Sequence, residues 1–341
     1  MYKFLLSLAI IILLSSNIHA ANNKEVIAHR DSAYLPEHTL ANVALAHHMN
    51  PNYIEQDVAL SKDKVPVVIH DIYLNDVTDV AKKFPERKRT DGNYYVYDFT
   101  LEELKTLVVH ERTHINTKGK EEAVYPNRFP VTQETNFRIP TLQEEIILIQ
   151  GLNKTFNKNV GLYVEIKKYE WFKEQKVDIS KIVLDLLSSY GYKTKNDNFY
   201  VQTFSFANAK YMRNELKFKG KLVQLLAEND WKESSDDFTY LMSAKGMKEM
   251  ATVVDGIGPW VPQVVTSSKD KSGYSVTNLV SLAHDNGLIV HPYTVRIEEL
   301  PKFVNNDTNK LFDILFNEAK IDGLFSDYPN KVREYLDSSS K

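Results

Sequence analysis

Eight short runs rich in β-branched and aromatic residues recur along the chain, and most of the intervals between them read as amphipathic helix. No other feature narrows the fold as much. The runs are Val26–Arg30, Tyr53–Leu60, Gly161–Lys167, Asn198–Phe204, Lys221–Ala227, Val253–Pro259, Leu288–Val295 and Asp322–Asp327. In DISKIVLDLLSSYG, residues Ile179, Ile182, Val183, Leu186 and Leu187 fall on one helical face, and Gly191 supplies the stop. VTNLVSLAHDNG follows the same plan and stops at Gly287. Strands alternating with helices pair in parallel. Eight of them in 341 residues fit a closed (β/α)8 TIM barrel of the α/β class. A doubly wound open sheet has no use for an eighth strand so near the C-terminus.

One interval is far longer than a single helix needs. Between Asp71 and Val160, TLEELKTL (Thr100–Leu107) and TLQEEIILIQ (Thr141–Gln150) read as helices, and the rest is rich in Pro, Tyr and Lys. Residues 72–140 therefore read as a small subdomain inserted on a barrel loop.

The first twenty residues, MYKFLLSLAIIILLSSNIHA, stand outside this scheme. Lys3 precedes an apolar run from Phe4 to Leu14, and a small residue, Ala20, closes the segment. That is the pattern of a secretory signal peptide cleaved after Ala20. The mature barrel domain is then residues 21–341, or 341 − 20 = 321 residues. The apolar run is short for a membrane span, so no stable membrane insertion is expected. The chain has no cysteine, which removes disulfides, thiolate metal sites and lipid attachment through a thiol. A chain of this length buries enough apolar surface without them. Net charge is −3, or −4 once Lys3 leaves, with no long basic stripe. Nucleic acid is not an expected partner.

In a barrel of this type, chemistry collects at the C-terminal ends of the strands. The first run ends at His29-Arg30. The second carries Glu55 and Asp57, two apart and hence on one face. Glu165 and Lys167 stand in the same relation on the third. IEQDVALSKDKVPVVIHD turns back on itself through Ser61–Lys64. A four-residue turn places Leu60 opposite Val65, and so Glu55 opposite His70. Three converging carboxylates would repel and raise one another's pKa. A hard divalent cation resolves this, and oxygen ligands suit calcium or magnesium. Arg30 and Lys167 suit a phosphate, and two imidazoles suit general acid–base work near neutral pH. The residues point to metal-assisted cleavage of a phosphodiester. Of the other histidines, His47, His48, His110, His114 and His284 read as ordinary surface residues, and His291 as a buried, hydrogen-bonded one.

The segments HR…PEHT, IEQD, VVIHD, VEIK and the closing GLFSDYP resemble the glycerophosphodiester phosphodiesterase family, and above all its periplasmic bacterial branch with an insertion after the His-Asp motif. DVTDV, YDFTLEEL, QGLN, DGIGP and IVHPYTVR extend the resemblance over the mature chain. It implies a TIM barrel that hydrolyses glycerophosphodiesters to sn-glycerol 3-phosphate and an alcohol such as choline, ethanolamine or glycerol. It implies His29 and His70 as the catalytic pair, Glu55, Asp57 and Glu165 as ligands of a divalent cation (calcium, with magnesium the alternative), and Arg30 and Lys167 on the phosphate. A periplasmic location and a homodimer follow from the resemblance alone. A phospholipase acting on intact lipid would want an apolar rim, and none is visible. A non-catalytic barrel scaffold would have lost ligands, and every ligand position here is filled.

One position departs from the family. Asp31 stands where glycine usually follows His-Arg, in a loop about one residue shorter than usual. Glycine would permit a positive φ there. Aspartate reaches that region at some cost, and its charge is unhelpful to a phosphate unless it points away. No constellation for the leaving alcohol stands out, so tolerance on that side is expected. Tyr94, Tyr95 and Tyr97 are the candidates to wall the mouth.

Overall fold

The structure is a computed structural model that describes residues 24–269 and 273–339. The signal-peptide reading therefore lies outside the described residues. All eight expected runs contain a parallel strand: β1 (Glu25–Ala28), β2 (Tyr53–Leu60), β3 (Gly161–Ile166), β4 (Phe199–Thr203), β5 (Lys221–Leu225), β6 (Gly256–Gly258), β7 (Ile289–Val290) and β8 (Gly323–Ser326). Sequence neighbours are spatial neighbours from β1 to β7, and β8 lies against β1. Single backbone bonds link β7 to β8, Asp322 N–H to Val290 O and Phe325 N–H to Pro292 O, each 3.0 Å. The barrel is thus nearly closed. Strand β7 is shorter than its run because Pro292 cannot donate to a ladder, whereas β6 starts only at Gly256, after a turn that takes in Val253, and ends before Pro259.

Side chains alternate between the barrel interior and the helix layer. Ile27, Tyr53, Tyr163, Tyr200, Val223 and Phe325 form one interior cluster, in which Tyr163 and Tyr200 stack at 4.7 Å. Val26, Ala28, Ile54, Leu162, Val164 and Val201 point the other way, into the core shared with the helices. Two residues along each strand from an interior ring is again an interior position. Stepping from Ile27, Tyr53, Tyr163, Tyr200 and Phe325 gives His29, Glu55, Glu165, Gln202 and Asp327. A further step from Glu55 and Glu165 gives Asp57 and Lys167. The tyrosine layer is the floor on which the polar site stands.

The hairpin after β2 differs from expectation by one residue. Pro66–Val68 pairs antiparallel with β2, but Leu60 faces Pro66 and Val58 faces Val68. The loop holds three residues, not four: Ser61 N–H bonds to Val65 O at 3.1 Å, Lys64 N–H to Ser61 O at 2.9 Å, and Lys64 has φ 62°. A turn closed by a left-handed residue is the ordinary three-residue hairpin. Glu55 and His70 are therefore not cross-strand partners. The ladder ends at Val68, and His70 reaches the site from the loop beyond.

Residues 72–140 include short helices at Val80–Lys83 and Leu101–Thr106 and a hairpin of Thr113–Ile115 with Glu121–Ala123. The second helix starts in a capping box made by Thr100 and Glu103. Thr141 and Glu144 make another, at the start of the helix Leu142–Phe156. Tyr94 and Tyr95 are buried. Tyr95 stacks on Trp171 at 5.3 Å, and Tyr97 meets the same indole edge-on at 5.9 Å. Tyr95 and Tyr97 pin the segment to the chain after β3, Tyr94 donates to Pro85 O within it, and none of the three walls the mouth.

Two histidines read as surface residues are buried. His47, on the helix Leu40–His48, meets Asn153 Oδ1 at 2.9 Å across the packed helix pair, and His110 is enclosed with its Nδ1 2.8 Å from Glu111 O. His48, His114 and His284 are exposed. His291 is buried with Tyr163 Oη 3.1 Å from Nδ1. Among the described residues no helix is long and apolar enough to cross a membrane.

Candidate active site

Glu55, Asp57 and Glu165 are buried, and each offers one carboxylate oxygen within 4.8 Å of the others. Parallel pairing of β2 with β3 sets Asp57 directly beside Glu165. Glu55 accepts the Arg30 backbone N–H at 3.0 Å and the Gln202 side-chain amide at 3.0 Å. Lys167 Nζ lies 2.7 Å from Glu165 Oε1 and 3.3 Å from Asp57 Oδ1. His38 Nε2 takes the other Asp57 oxygen at 2.8 Å. Burial, with Asp57 and Glu165 nearby, pushes Glu55 well above the usual carboxylate range. Burial also lifts Glu165 to about 8, with Lys167 opposing and Asp57 adding to the rise. At Asp57 burial pushes upward too, but the Lys167 charge, helped by the His38 hydrogen bond, outweighs it and holds the group well below the usual range. One lysine does not balance three carboxyls. Asp57 Oδ1 is buried and accepts no hydrogen bond. An all-oxygen donor set that includes a buried oxygen held only by an ion pair to Lys167 fits a hard divalent cation.

The two histidines are oriented alike. His29 Nδ1 is 2.6 Å from Asp327 Oδ1, and His70 Nδ1 is 2.9 Å from Asp71 Oδ1. In the neutral ring this makes Nδ1–H the donor and leaves Nε2 as the free base. His29 Nε2 lies 3.8 Å from Glu55 Oε2. Burial lowers His29 to about 4, partly opposed by Asp327. Burial lowers His70 to about 3, and the cations Arg30 and Lys167 add to the fall. Both rings are neutral at pH 7.

Each of the two acids is held in turn by arginine. Arg128 Nη2 and Arg296 Nε approach Asp327 Oδ2 at 2.7 and 3.0 Å. Arg112 reaches Asp71 at 2.8 Å and grips Glu37 with two nitrogens, at 2.6 and 3.0 Å. Arg30 Nη1 donates to the same Glu37 at 3.1 Å. Arg112 and Arg128 come from the long segment between β2 and β3, so that segment braces both histidines through their acids.

Arg30 and Asp31 have φ of 46° and 73°. The left-handed turn that glycine would make easily is made here by two larger residues. Asp31 is fully buried and does not line the cleft. Burial pushes its carboxyl up to about 7. Its carboxyl is thus kept out of the cleft that Arg30 lines.

All seven residues singled out from the sequence line one cleft of about 250 Å³. His38, Gln202, Asp327, Arg112, Arg128 and Arg296 were missed. Asp327 had a signal: it ends the eighth run, as His29 follows the first strand. Arg112 and Arg128 had none, because they sit in irregular chain that only tertiary packing brings to the barrel mouth.

The model of the Glycerophosphoryl diester phosphodiesterase family matches residues 29–331. A glycerophosphodiester phosphodiesterase of Haemophilus influenzae is 42% identical over 339 residues, covering 94% of this chain and 92% of that protein. One of Treponema pallidum is 35% identical over 334 residues, covering 93% and 92%. Among solved structures, an Oleispira antarctica phosphodiesterase in complex with the product sn-glycerol-3-phosphate superposes with a TM-score of 0.62 at 22% identity, covering 92% of this chain and 97% of that one. A glycerophosphodiester phosphodiesterase of Thermotoga maritima gives 0.54 at 17% identity, with 93% and 99% covered. Barrel topology, the acidic cluster beside two acid-braced histidines, and relatives matched over nearly their whole length agree: the chain belongs to the glycerophosphoryl diester phosphodiesterase family.

Proposed function

We propose that this phosphodiesterase hydrolyses glycerophosphodiesters to sn-glycerol 3-phosphate and an alcohol, with a divalent cation and with His29 and His70 as its acid–base pair. One observation carries the reading: three carboxylates and two histidines with free Nε2 atoms open into a single cleft. Glu55, Asp57 and Glu165 would hold the cation, calcium first and magnesium as the alternative. When bound, it supplies a Lewis acid that neutralises charge developing on the phosphate. Arg30 and Lys167 bind the anionic phosphate and fix its orientation. One histidine takes a proton at Nε2 from the attacking oxygen, and the other, which takes up a proton from solvent once the anionic phosphate is bound, gives it from Nε2 to the departing alkoxide. Asp327 stabilises the imidazolium formed at His29, as Asp71 does at His70.

The product bound to the Oleispira antarctica neighbour supports glycerol 3-phosphate as the retained half. Residues 72–140 act as an inserted brace for the histidines. The working location is the periplasm, after removal of residues 1–20, and a homodimer is the assembly we propose from the resemblance; sedimentation of the mature chain tests the latter. The central test is release of sn-glycerol 3-phosphate from glycerophosphocholine, with EDTA and with calcium or magnesium restored. Loss with EDTA and recovery with calcium are expected. Full turnover in EDTA would sink the metal-assisted mechanism.

A further inference from the structure

The same cleft also has an apolar side. Its wall there is aromatic: Phe204 after β4, Trp231 after β5, Trp260 after β6 and Tyr293 after β7. Trp231 and Trp260 have ring centroids 5.0 Å apart at an interplanar angle of 65°, which makes an open corner. Phe204 and Tyr293 meet edge-to-face at 5.9 Å. Tyr293 Oη donates to Leu226 O at 2.6 Å, so its hydroxyl is already committed. Trp231 is 40% exposed, which is unusual for so large an apolar side chain. Glu233, two residues on, lines the same cleft, with its carboxylate 2.6 Å from Lys168 Nζ.

We infer that the corner formed by Trp231 and Trp260, with Glu233 at its edge, is a subsite for a cationic alcohol headgroup, above all a quaternary ammonium. The inference rests on the phosphodiesterase reading above and names its substrate class. A phosphodiester of this kind has two arms. The glycerol arm is a polyol and is best served where hydrogen-bonding groups are dense, beside Arg30, Gln202 and Lys167, whereas this corner presents mainly ring faces. A quaternary ammonium has no N–H to donate and is bound by faces of negative potential, for which tryptophan is the best side chain. The nearby cations are already partnered, Lys168 by Glu233 and Arg296 by Asp327, so they repel such a group weakly. The corner is built by residues after β5 and β6, in irregular chain where no periodicity in the sequence marks it.

Two measurements test this. Tryptophan fluorescence of the wild-type protein at saturating calcium is titrated with choline and with its neutral isostere 3,3-dimethylbutan-1-ol. The third tryptophan, Trp171, packs on Tyr95 away from the cleft and gives a constant background. Choline is expected to bind saturably and about tenfold tighter than the isostere. Equal binding, or no saturable signal, overturns the subsite, and neither result depends on turnover. In the second measurement, kcat/KM is compared for glycerophosphocholine and glycerophosphoglycerol. Trp231→Leu is expected to lower the choline-to-glycerol ratio about tenfold. An unchanged ratio, including an equal fall on both substrates, assigns the rings to the glycerol arm and overturns the proposal.

Discussion

Asp327 Oδ1 lies 2.6 Å from His29 Nδ1, although 298 positions separate the two residues in the chain. The barrel closes β8 against β1, and both residues follow their strands at the same end. The acid fixes the ring so that Nε2 faces the cleft. Asp327→Asn keeps the shape and removes the charge that stabilises the imidazolium. We expect kcat to fall on the order of 10²-fold, with calcium affinity unchanged by calorimetry. A loss of calcium binding equal to the loss of rate would mean that the residue serves the metal centre instead.

His29→Ala and His70→Ala should each lower kcat by on the order of 10²–10⁴-fold. The double variant should be little worse than the worse single one, because both groups serve one reaction. Steady-state rates on glycerophosphocholine decide this. Full activity of His70→Ala would remove it from the mechanism.

Glu165→Gln should weaken calcium binding sharply and abolish most turnover, since two carboxylates remain where three held the ion. Calorimetric titration checks it, and wild-type affinity in the variant would contradict the ligand assignment.

Calcium binding should also depend on pH. Burial raises Glu165 in the metal-free protein to about 8. A carboxyl with a raised pKa favours the folded state at low pH, and that contribution is lost as pH rises from the unfolded value to about 8. Binding requires the deprotonated form. Apparent affinity should therefore rise with pH up to about 8, with protons released on binding. The gain in Tm on adding calcium should grow over the same range. Titrations in buffers of different ionisation enthalpy measure the protons, and a pH-independent affinity with no release would refute the coupling.

Arg112 bridges Glu37 and Asp71. Arg112→Ala removes the cation shared by two partly buried acids and leaves Glu37 with Arg30 alone. We expect a loss of about 3 kcal/mol in stability, read as a lower urea midpoint, with reduced kcat through His70. Arg112→Lys should recover only part, because an ammonium cannot reproduce the two-nitrogen grip on Glu37. A stability loss below about 0.5 kcal/mol, the ordinary range for a surface substitution, would show that the bridge is not structural.

The sequence by itself determined the barrel and the inward-facing ligands. Strand periodicity is local: once Tyr53 faces inward, Glu55 and Asp57 must follow, and the same holds for Glu165 and Lys167. The turn at His-Arg was left open, since only comparison with the family's usual glycine hinted at a positive φ there, and the structure shows both Arg30 and Asp31 adopting it. Register through a turn was less legible, because Lys64 in the left-handed region shortens the loop by one residue, and nothing in Ser61–Lys64 announces that choice. Only the tertiary structure decided which charges hold the histidines and what lines the rest of the cleft. Asp327 reaches His29 by barrel closure, Arg112 and Arg128 by the folding-back of irregular chain, and Trp231 and Trp260 by the adjacency of β5 and β6. These contacts join residues distant in sequence through loops with no repeating pattern, so three-dimensional packing alone specifies them.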